Sequence, residues 1–244
     1  MVAAGKAESP FNLPVGELGD AYHMQPLYTS LGGYVFGTTP DGDYDPTQLG
    51  IGEEASLVVA QKIYDLGEKG QQVLSRSVSN DNSIALFAAG KSPFLLSGPW
   101  AQPDLNEAGL NYAAQPIPGF AGAGPAQPFT GVQGFFVASN GANKTFAQEF
   151  VVNTMNTEKS MQIMYDKAQL PPALTSLQQS AVATDPNLQA FLDSADAGEP
   201  MPSIPQMAAV FEPFGKSYAA IVGGADPTTT MQSAGNTISS AISG

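Results

Sequence analysis

Apolar positions recur along the chain at helical and strand spacings in turn. Tyr34-Val35-Phe36 leads through Asp41-Gly42 to Tyr44, which predicts a hairpin with a tight Asp-Gly turn. Residues 53–67 read as a helix that is acidic at its start, with Val59, Ile63 and Leu66 on one face and Gly67 as the expected C-cap. Residues 81–89 form a second predicted helix stacking Ile84 and Phe87, and Gly90 ends it. A short buried strand is expected at 92–97, running into Gly98-Pro99-Trp100. Residues 115–128 hold most of a Pro/Gly/Ala-rich stretch and read as a loop, after which Gly-Phe-Phe-Val-Ala at 134–138 is strand-like. Two helices follow. One starts at the box Thr145-x-x-Gln148 and carries Phe146, Phe150 and Met155; the other carries Met161, Met164 and Tyr165. Asp185-Pro186 starts a helix through Leu188, Phe191 and Leu192, and Pro205 opens one that Pro213 is expected to kink. Asp226-Pro227 caps a last helix with Met231, Ala234, Ile238 and Ala241 on one stripe. Strands alternating with helices indicate an α/β fold, and no internal repeat is visible.

Composition narrows the function classes. The 244 residues suffice for one large domain or two small ones, and 43% hydrophobic content excludes wholesale disorder. Apolar runs such as 208–211 and 218–222 fall far short of the ~20 residues that span a bilayer. The net charge of −13 repels phosphate backbones and anionic lipid, and the nine Lys and Arg form no cluster, which argues against a nucleic-acid partner. With no cysteine, thiolate nucleophiles, zinc–thiolate sites and disulfides are excluded together. Met1-Val2-Ala3-Ala4-Gly5-Lys6 lacks the apolar stretch of a signal peptide, so the chain is read either as cytosolic or as starting after its native beginning.

Candidate chemistry is thin. Asp41, Asp43 and Asp45 have Ca²⁺-loop spacing, but the positions that need Gly and Glu hold Pro46 and Gly52, so a solvated turn is the better reading and no metal is expected. Gly90-Lys91-Ser92 resembles the end of a phosphate loop, but Ala85 stands where the first Gly belongs, and a helix cap explains Gly90. His23 is the only histidine and no Gly-x-Ser-x-Gly elbow exists, which leaves little room for a catalytic triad. A glycosidase needs only two carboxylates, so that class stays open, although no carboxylate sits in an evidently apolar stretch. Aromatics beside polar residues and helix breakers are more telling: Tyr22 after Asp20, Trp100 after Gly98-Pro99, and Phe211 with Glu212 before Pro213. A pyranose packs its C–H face on an aromatic ring while its hydroxyls seek carboxylates and amides. Each aromatic alone is better read as core packing, and only the combination lifts the sugar reading.

An ordered set of stretches carries a resemblance. It comprises Phe11-Asn12-Leu13, Ala21-Tyr22-His23-Met24-Gln25-Pro26-Leu27, Gly32-Gly33-Tyr34, Asp41-Gly42-Asp43-Tyr44-Asp45 and Gly98-Pro99-Trp100. Asn111-Tyr112, Pro118, Pro128-Phe129-Thr130-Gly131-Val132 and Met201-Pro202-Ser203-Ile204-Pro205-Gln206-Met207 complete it. In order and spacing these resemble the maltose/maltodextrin-binding family of ABC-importer substrate-binding proteins, across essentially the whole chain.

The resemblance implies a periplasmic-binding-protein type II-like α/β fold: two lobes joined by a hinge, with sugar bound in the cleft. It assigns residues 1–132 and 184–244 to the C-terminal lobe, and 133–183 to an excursion belonging to the N-terminal lobe. Relatives begin with well over a hundred further residues, so the chain is read as an N-terminally truncated fragment. The full-length form is then expected outside the cell, extracellular or periplasmic, as an anchored lipoprotein. The implied ligand-binding residues are Tyr22 and Trp100 as aromatic platforms, Phe211 in place of a stacking Trp, Asp20 for sugar hydroxyls, and Glu212 where the family has a Tyr. Gln25 for a Trp and Gly215 for an Arg are further departures, which favour a short maltose- or trehalose-like sugar over long maltodextrins. Implied partners are an oligosaccharide and the membrane subunits of an ABC importer, with no cofactor and no catalysis. A glycoside-active enzyme and a binder of a non-sugar solute remain the alternatives. Alone, the fragment is expected to self-associate or to repack residues 130–183, and to bind sugar more weakly than its parent.

Overall fold

The computed structural model describes residues 2–244. In chain order its helices are α1 (Ala21–Ser30), α2 (Glu54–Leu66), α3 (Ser83–Ala88), α4 (Gln102–Glu107), α5 (Lys144–Glu149), α6 (Glu158–Ala168), α7 (Thr175–Val182), α8 (Leu188–Ala197), α9 (Phe211–Val222) and α10 (Pro227–Ser243). The strands are β1 (Phe36–Thr38), β2 (Tyr44–Leu49), β3 (Phe129–Thr130) and β4 (Glu199–Pro200), in two two-stranded sheets: antiparallel β1–β2 and parallel β3–β4. Short 3₁₀ turns occupy Val2–Ala4, Pro99–Ala101 and Pro205–Ala209, and a π-helical segment runs over Phe150–Met155.

The chain forms two compact units. One holds the residues up to Ser97 with Ile117–Thr130 and Ala197–Gly244; the other holds Gly98–Pro116 and Gly131–Asp196. The expected excursion at 133–183 therefore lies inside the second unit, which extends further on both sides. In the first unit α9 packs on α10, α2 and α1. Its centre is an aromatic cluster in which the Phe214 ring lies 4.9 Å from Tyr28 and 4.6 Å from Tyr218, ringed by Met24, Ile63, Ile221, Met231 and Ile238. Edge-to-face and tilted rings at such separations add to the stabilisation from their buried area. The second unit buries far less: Ala101, Leu105, Leu177, Ala181 and Leu188 are its fully covered apolar side chains.

Several predicted elements form as expected. The hairpin pairs Thr38 with Tyr44 across a turn in which Gly42 takes a left-handed φ of 91°. Gly90, at φ 71°, ends the region of α3, with its own N–H on the Phe87 carbonyl and the Lys91 N–H on the Leu86 carbonyl. Asp226 caps α10 through the Thr229 N–H at 2.8 Å, and Met231, Ala234 and Ile238 are buried. Ala241 is exposed, so the buried stripe stops one turn early.

Other expectations need correction. Residues 134–138 form no strand: no neighbouring strand pairs with them among the described residues, and Phe136 is 95% exposed. The strand expected at 92–97 reduces to one parallel bridge between Asn12 and Leu95. Thr145 is the second residue of α5 rather than its cap, because the helix begins behind Asn143. Pro213 does not kink a helix. It lies in the first turn of α9, where no intrahelical N–H is required, and the preceding residues form the separate 3₁₀ turn. Helix α1, with Pro26 inside it, has no apolar stripe to announce it, since nine of its ten residues are buried. Among the described residues no helix is long and apolar enough to cross a membrane.

Candidate functional site

Glycine contact sets the geometry of the first unit's candidate residues. Gly19 has φ 76°, and a Cβ there would fall 1.6 Å from the Gly215 carbonyl oxygen. Only glycine can occupy this position, and its absent side chain lets the start of α1 lie directly against α9. Gly215 is one helical turn after Phe211, so the two share a face of α9. The contact therefore brings the α1 N-terminus, with Asp20 and Tyr22, beside the face of α9 that begins with Phe211.

Asp20 is the N-cap of α1. Its Oδ1 accepts the His23 N–H at 2.9 Å, while Oδ2 accepts from His23 Nδ1 at 2.8 Å and from Asn80 Nδ2 at 2.6 Å. Burial opposes the charge on this carboxyl, but the His23 and Asn80 bonds and the His23 charge outweigh it and hold the pKa below the usual carboxylate range. An ionised carboxylate offers about four acceptor positions, so roughly one, on Oδ1, is left for another donor. His23 and Asn80 are contributors that residue-type reasoning passed over. The i,i+3 spacing of Asp20 and His23 was the available signal for the first, and the 60 residues separating Asn80 from Asp20 hid the second.

Tyr22 lies in the first turn of α1, half-buried. Its ring meets His23 edge-on at 5.5 Å and lies 5.8 Å from Phe129. Burial, with the Asp20 charge beside it, raises the Tyr22 hydroxyl pKa, so it stays a neutral donor. Phe211 opens α9 and is 37% exposed, large for an aromatic ring on a helix so involved in the core.

Glu212 follows Phe211 and so points about 100° away around the helix. Its carboxylate accepts from Lys216 Nζ at 2.5 Å, and the bond with the adjacent charge lowers its pKa. Both residues line a groove of ≈ 680 Å³ between α9 and α10, together with Thr229, Thr230, Ser233 and Thr237. The structure thus groups Asp20, Tyr22 and Phe211 about the Gly19–Gly215 contact and directs Glu212 elsewhere. Gln25, a candidate polar replacement for an aromatic, is only 2% exposed and belongs to the interior.

Trp100 belongs to the second unit, in the 3₁₀ turn that runs into α4. It is 44% exposed, and its ring covers Gly98 so closely that a Cβ on Gly98 would lie 2.2 Å from ring carbon Cζ3. Among the described residues no group of three or more His, Cys, Asp or Glu could hold a metal ion. The arrangement offers aromatic faces, an ionised acceptor and neutral hydroxyl and amide donors.

Residues 19–190 match the family described as bacterial extracellular solute-binding protein. The chain is 29% identical over 229 residues to a galactooligosaccharide-binding protein of Bacillus subtilis, covering 88% of this chain and 52% of that one. It is 26% identical over 218 residues to a maltooligosaccharide ABC transporter solute-binding lipoprotein of Streptococcus pneumoniae, covering 87% and 50%. The chain thus spans about half the length of these relatives. A solved structure of a Thermus thermophilus maltotriose binding protein bound with maltotriose superposes with a TM-score of 0.85 at 28% identity, over 97% of this chain and 62% of that one. The fold is therefore the type II periplasmic-binding α/β fold, in part.

Proposed function

Since the chain belongs to the family of bacterial extracellular solute-binding proteins, we propose that it is part of a longer protein that captures an oligosaccharide outside the cell for an ABC importer. The observation that carries this reading is the superposition of nearly the whole chain on a maltotriose binding protein. The longer protein is then an anchored lipoprotein, as the pneumococcal relative is named. Its partners are the importer's membrane subunits. Residues 1–132 and 184–244 contribute to the C-terminal lobe, and residues 133–183 contribute to the N-terminal lobe. Val132, Phe135, Phe136, Phe146 and Phe150 are exposed on that second unit and fit a face that further chain covers in the longer protein.

Asp20, Tyr22, Phe211 and Trp100 are the residues proposed to touch sugar. Aromatic faces take the pyranose C–H surfaces, while the spare acceptor position of Asp20 takes a hydroxyl. Glu212 is the weakest member, because its carboxylate is paired with Lys216 on another face. The protein binds without turnover. Glycoside hydrolysis needs a carboxylic acid kept protonated near neutrality, and both acidic candidates are pushed the other way, toward the ionised form.

A calorimetric panel of maltose, trehalose, maltotriose and galactooligosaccharides, run beside amino acids and polyamines, tests the reading. Saturable binding confined to the sugars is expected. Binding confined to a non-sugar solute, or reducing sugar released on prolonged incubation, overturns it.

A further inference from the structure

We propose that three amides, Gln102 and Asn106 of α4 and Gln169 at the end of α6, form a latch that holds the Trp100 ring in place. The value of that placement for a sugar rests on the reading of Trp100 above; the latch itself does not. Trp100 sits in a three-residue 3₁₀ turn that runs into α4, a helix of only six residues. Segments this short do not hold their geometry alone, so something outside must orient them. Two residues after Trp100, the Gln102 side chain is 3% exposed, unusual burial for an amide, and its Nε2 donates to the Gln169 carbonyl at 2.8 Å. One helical turn later, Asn106 Nδ2 donates to Gln169 Oε1 at 2.8 Å. Both ends of Gln169, backbone and side chain, are thus gripped by the helix that begins just past Trp100.

Gln169 also has an uncommon backbone for a residue with a long side chain. It ends α6 in the left-handed conformation, φ 54° and ψ 23°, which side-chain-bearing residues disfavour. Its N–H closes α6 on the Tyr165 carbonyl, a common helix stop, and the two bonds from α4 hold the same residue from outside. From the other side, the ring is seated on Gly98, whose Cβ position it occupies. The turn is therefore held at both ends: by contact with a bare glycine before the ring and by the amide latch after it. A polar groove of ≈ 500 Å³ lies beside the latch, with Tyr112, Tyr165 and Asp185 on its wall. Its polar side chains already bond within the groove: the Tyr165 hydroxyl donates to the Asp185 carboxylate, Asn106 to the Gln169 side chain and Gln102 to the Gln169 carbonyl. That internal satisfaction fits a positioning device better than a second ligand site.

Trp100 is the only tryptophan in the sequence, so intrinsic fluorescence reads its ring directly. The test is acrylamide quenching and steady-state anisotropy of the 244-residue chain without sugar, for wild type, Gln102→Leu, Asn106→Ala and Gln169→Asn. A ring now 44% exposed has about twofold to gain in quencher access if its turn loosens, so Gln102→Leu and Asn106→Ala are expected to raise the quenching constant by up to about twofold and to lower anisotropy. Gln169→Asn keeps the main-chain acceptor for Gln102 and tolerates the left-handed conformation but draws its amide one methylene back from Asn106, so it is expected to loosen the ring about as much as Asn106→Ala does. If Gln102→Leu does not fold by circular dichroism, the exposed Asn106 carries the test. Unchanged quenching and anisotropy in folded Asn106→Ala and Gln102→Leu overturn the proposal, as does a Gln169→Asn that stays at wild type while Asn106→Ala loosens the ring. A wild-type titration with maltotriose separates the two readings. Loosened variants together with a Trp100 signal that no sugar perturbs leave the latch standing and remove the sugar-stacking role.

Discussion

Replacing Asp20 separates its structural role from its proposed role toward sugar. Its carboxylate closes α1 through the His23 N–H, and pairs with the His23 ring and Asn80 at a side chain only 10% exposed. Asp20→Ala removes the cap, worth about 1 kcal/mol, and leaves charge-assisted partners unmet, worth about 1.5–3 kcal/mol more. The sum, about 3 kcal/mol, lowers the melting temperature by roughly 6–12 °C for a chain of this size. Asp20→Asn keeps a good N-cap oxygen and loses only the charge, so it is expected to recover at least the cap contribution. Because the native pKa is depressed, this stabilisation is complete above the unfolded value of about 4 and is lost as pH falls through the native pKa. The gap between wild type and Asp20→Ala should therefore be full at pH 7 and shrink toward the cap contribution of about 1 kcal/mol under strongly acidic conditions. Thermal melts followed by near-ultraviolet dichroism of the Tyr28–Phe214–Tyr218 cluster give the assay, since those rings lie in the same unit as Asp20. A gap that persists unchanged to pH 2, or Asp20→Asn as unstable as Asp20→Ala, refutes the assignment of the cap and of the carboxylate's bonds to His23 and Asn80. A stable Asp20→Asn that also loses sugar affinity assigns the remaining acceptor position to the ligand.

Other perturbations follow from the same contacts. Gly19→Ala places a methyl carbon on the Gly215 carbonyl in a left-handed conformation and should cost about 3 kcal/mol or more; a urea midpoint equal to wild type contradicts that contact. Exposed rings at Phe135 and Phe136 should make the chain self-associate in light scattering, and Phe135→Ser with Phe136→Ser should reduce it; a wild-type chain that is monomeric at high concentration counts against this.

Legibility from sequence varied with burial. Helices α2 and α10 bury one face and expose the other, so their apolar spacing marked them in advance. Helix α1 is covered nearly all round and carries a proline, so periodicity had nothing to detect, although it bears Tyr22 and is capped by Asp20. Residues 134–138 have a strand's composition, but a strand exists only with a neighbour, and long-range pairing is not written in a local pattern. Trp100 could be picked out because Gly98-Pro99 precludes an ordinary helix around it, and half exposure fits that expectation. Glu212 could not be placed, because the start of α9 decides its direction and the residue-to-residue step around the helix turns it away from Phe211. Asn80 was illegible for a plainer reason: its bond to Asp20 exists only in the folded chain.

The central claim, that an exposed aromatic platform on this chain binds sugar, is tested most directly by titrating maltotriose calorimetrically into the longer protein and its Trp100→Ala variant, with melting curves of both. A half-exposed ring anchoring a ligand should cost about 2–4 kcal/mol of binding when truncated, or roughly 30- to 1000-fold in affinity, with the melting temperature little changed. A variant that binds maltotriose as tightly as wild type, while its melting temperature collapses, would make Trp100 a packing residue and contradict the account.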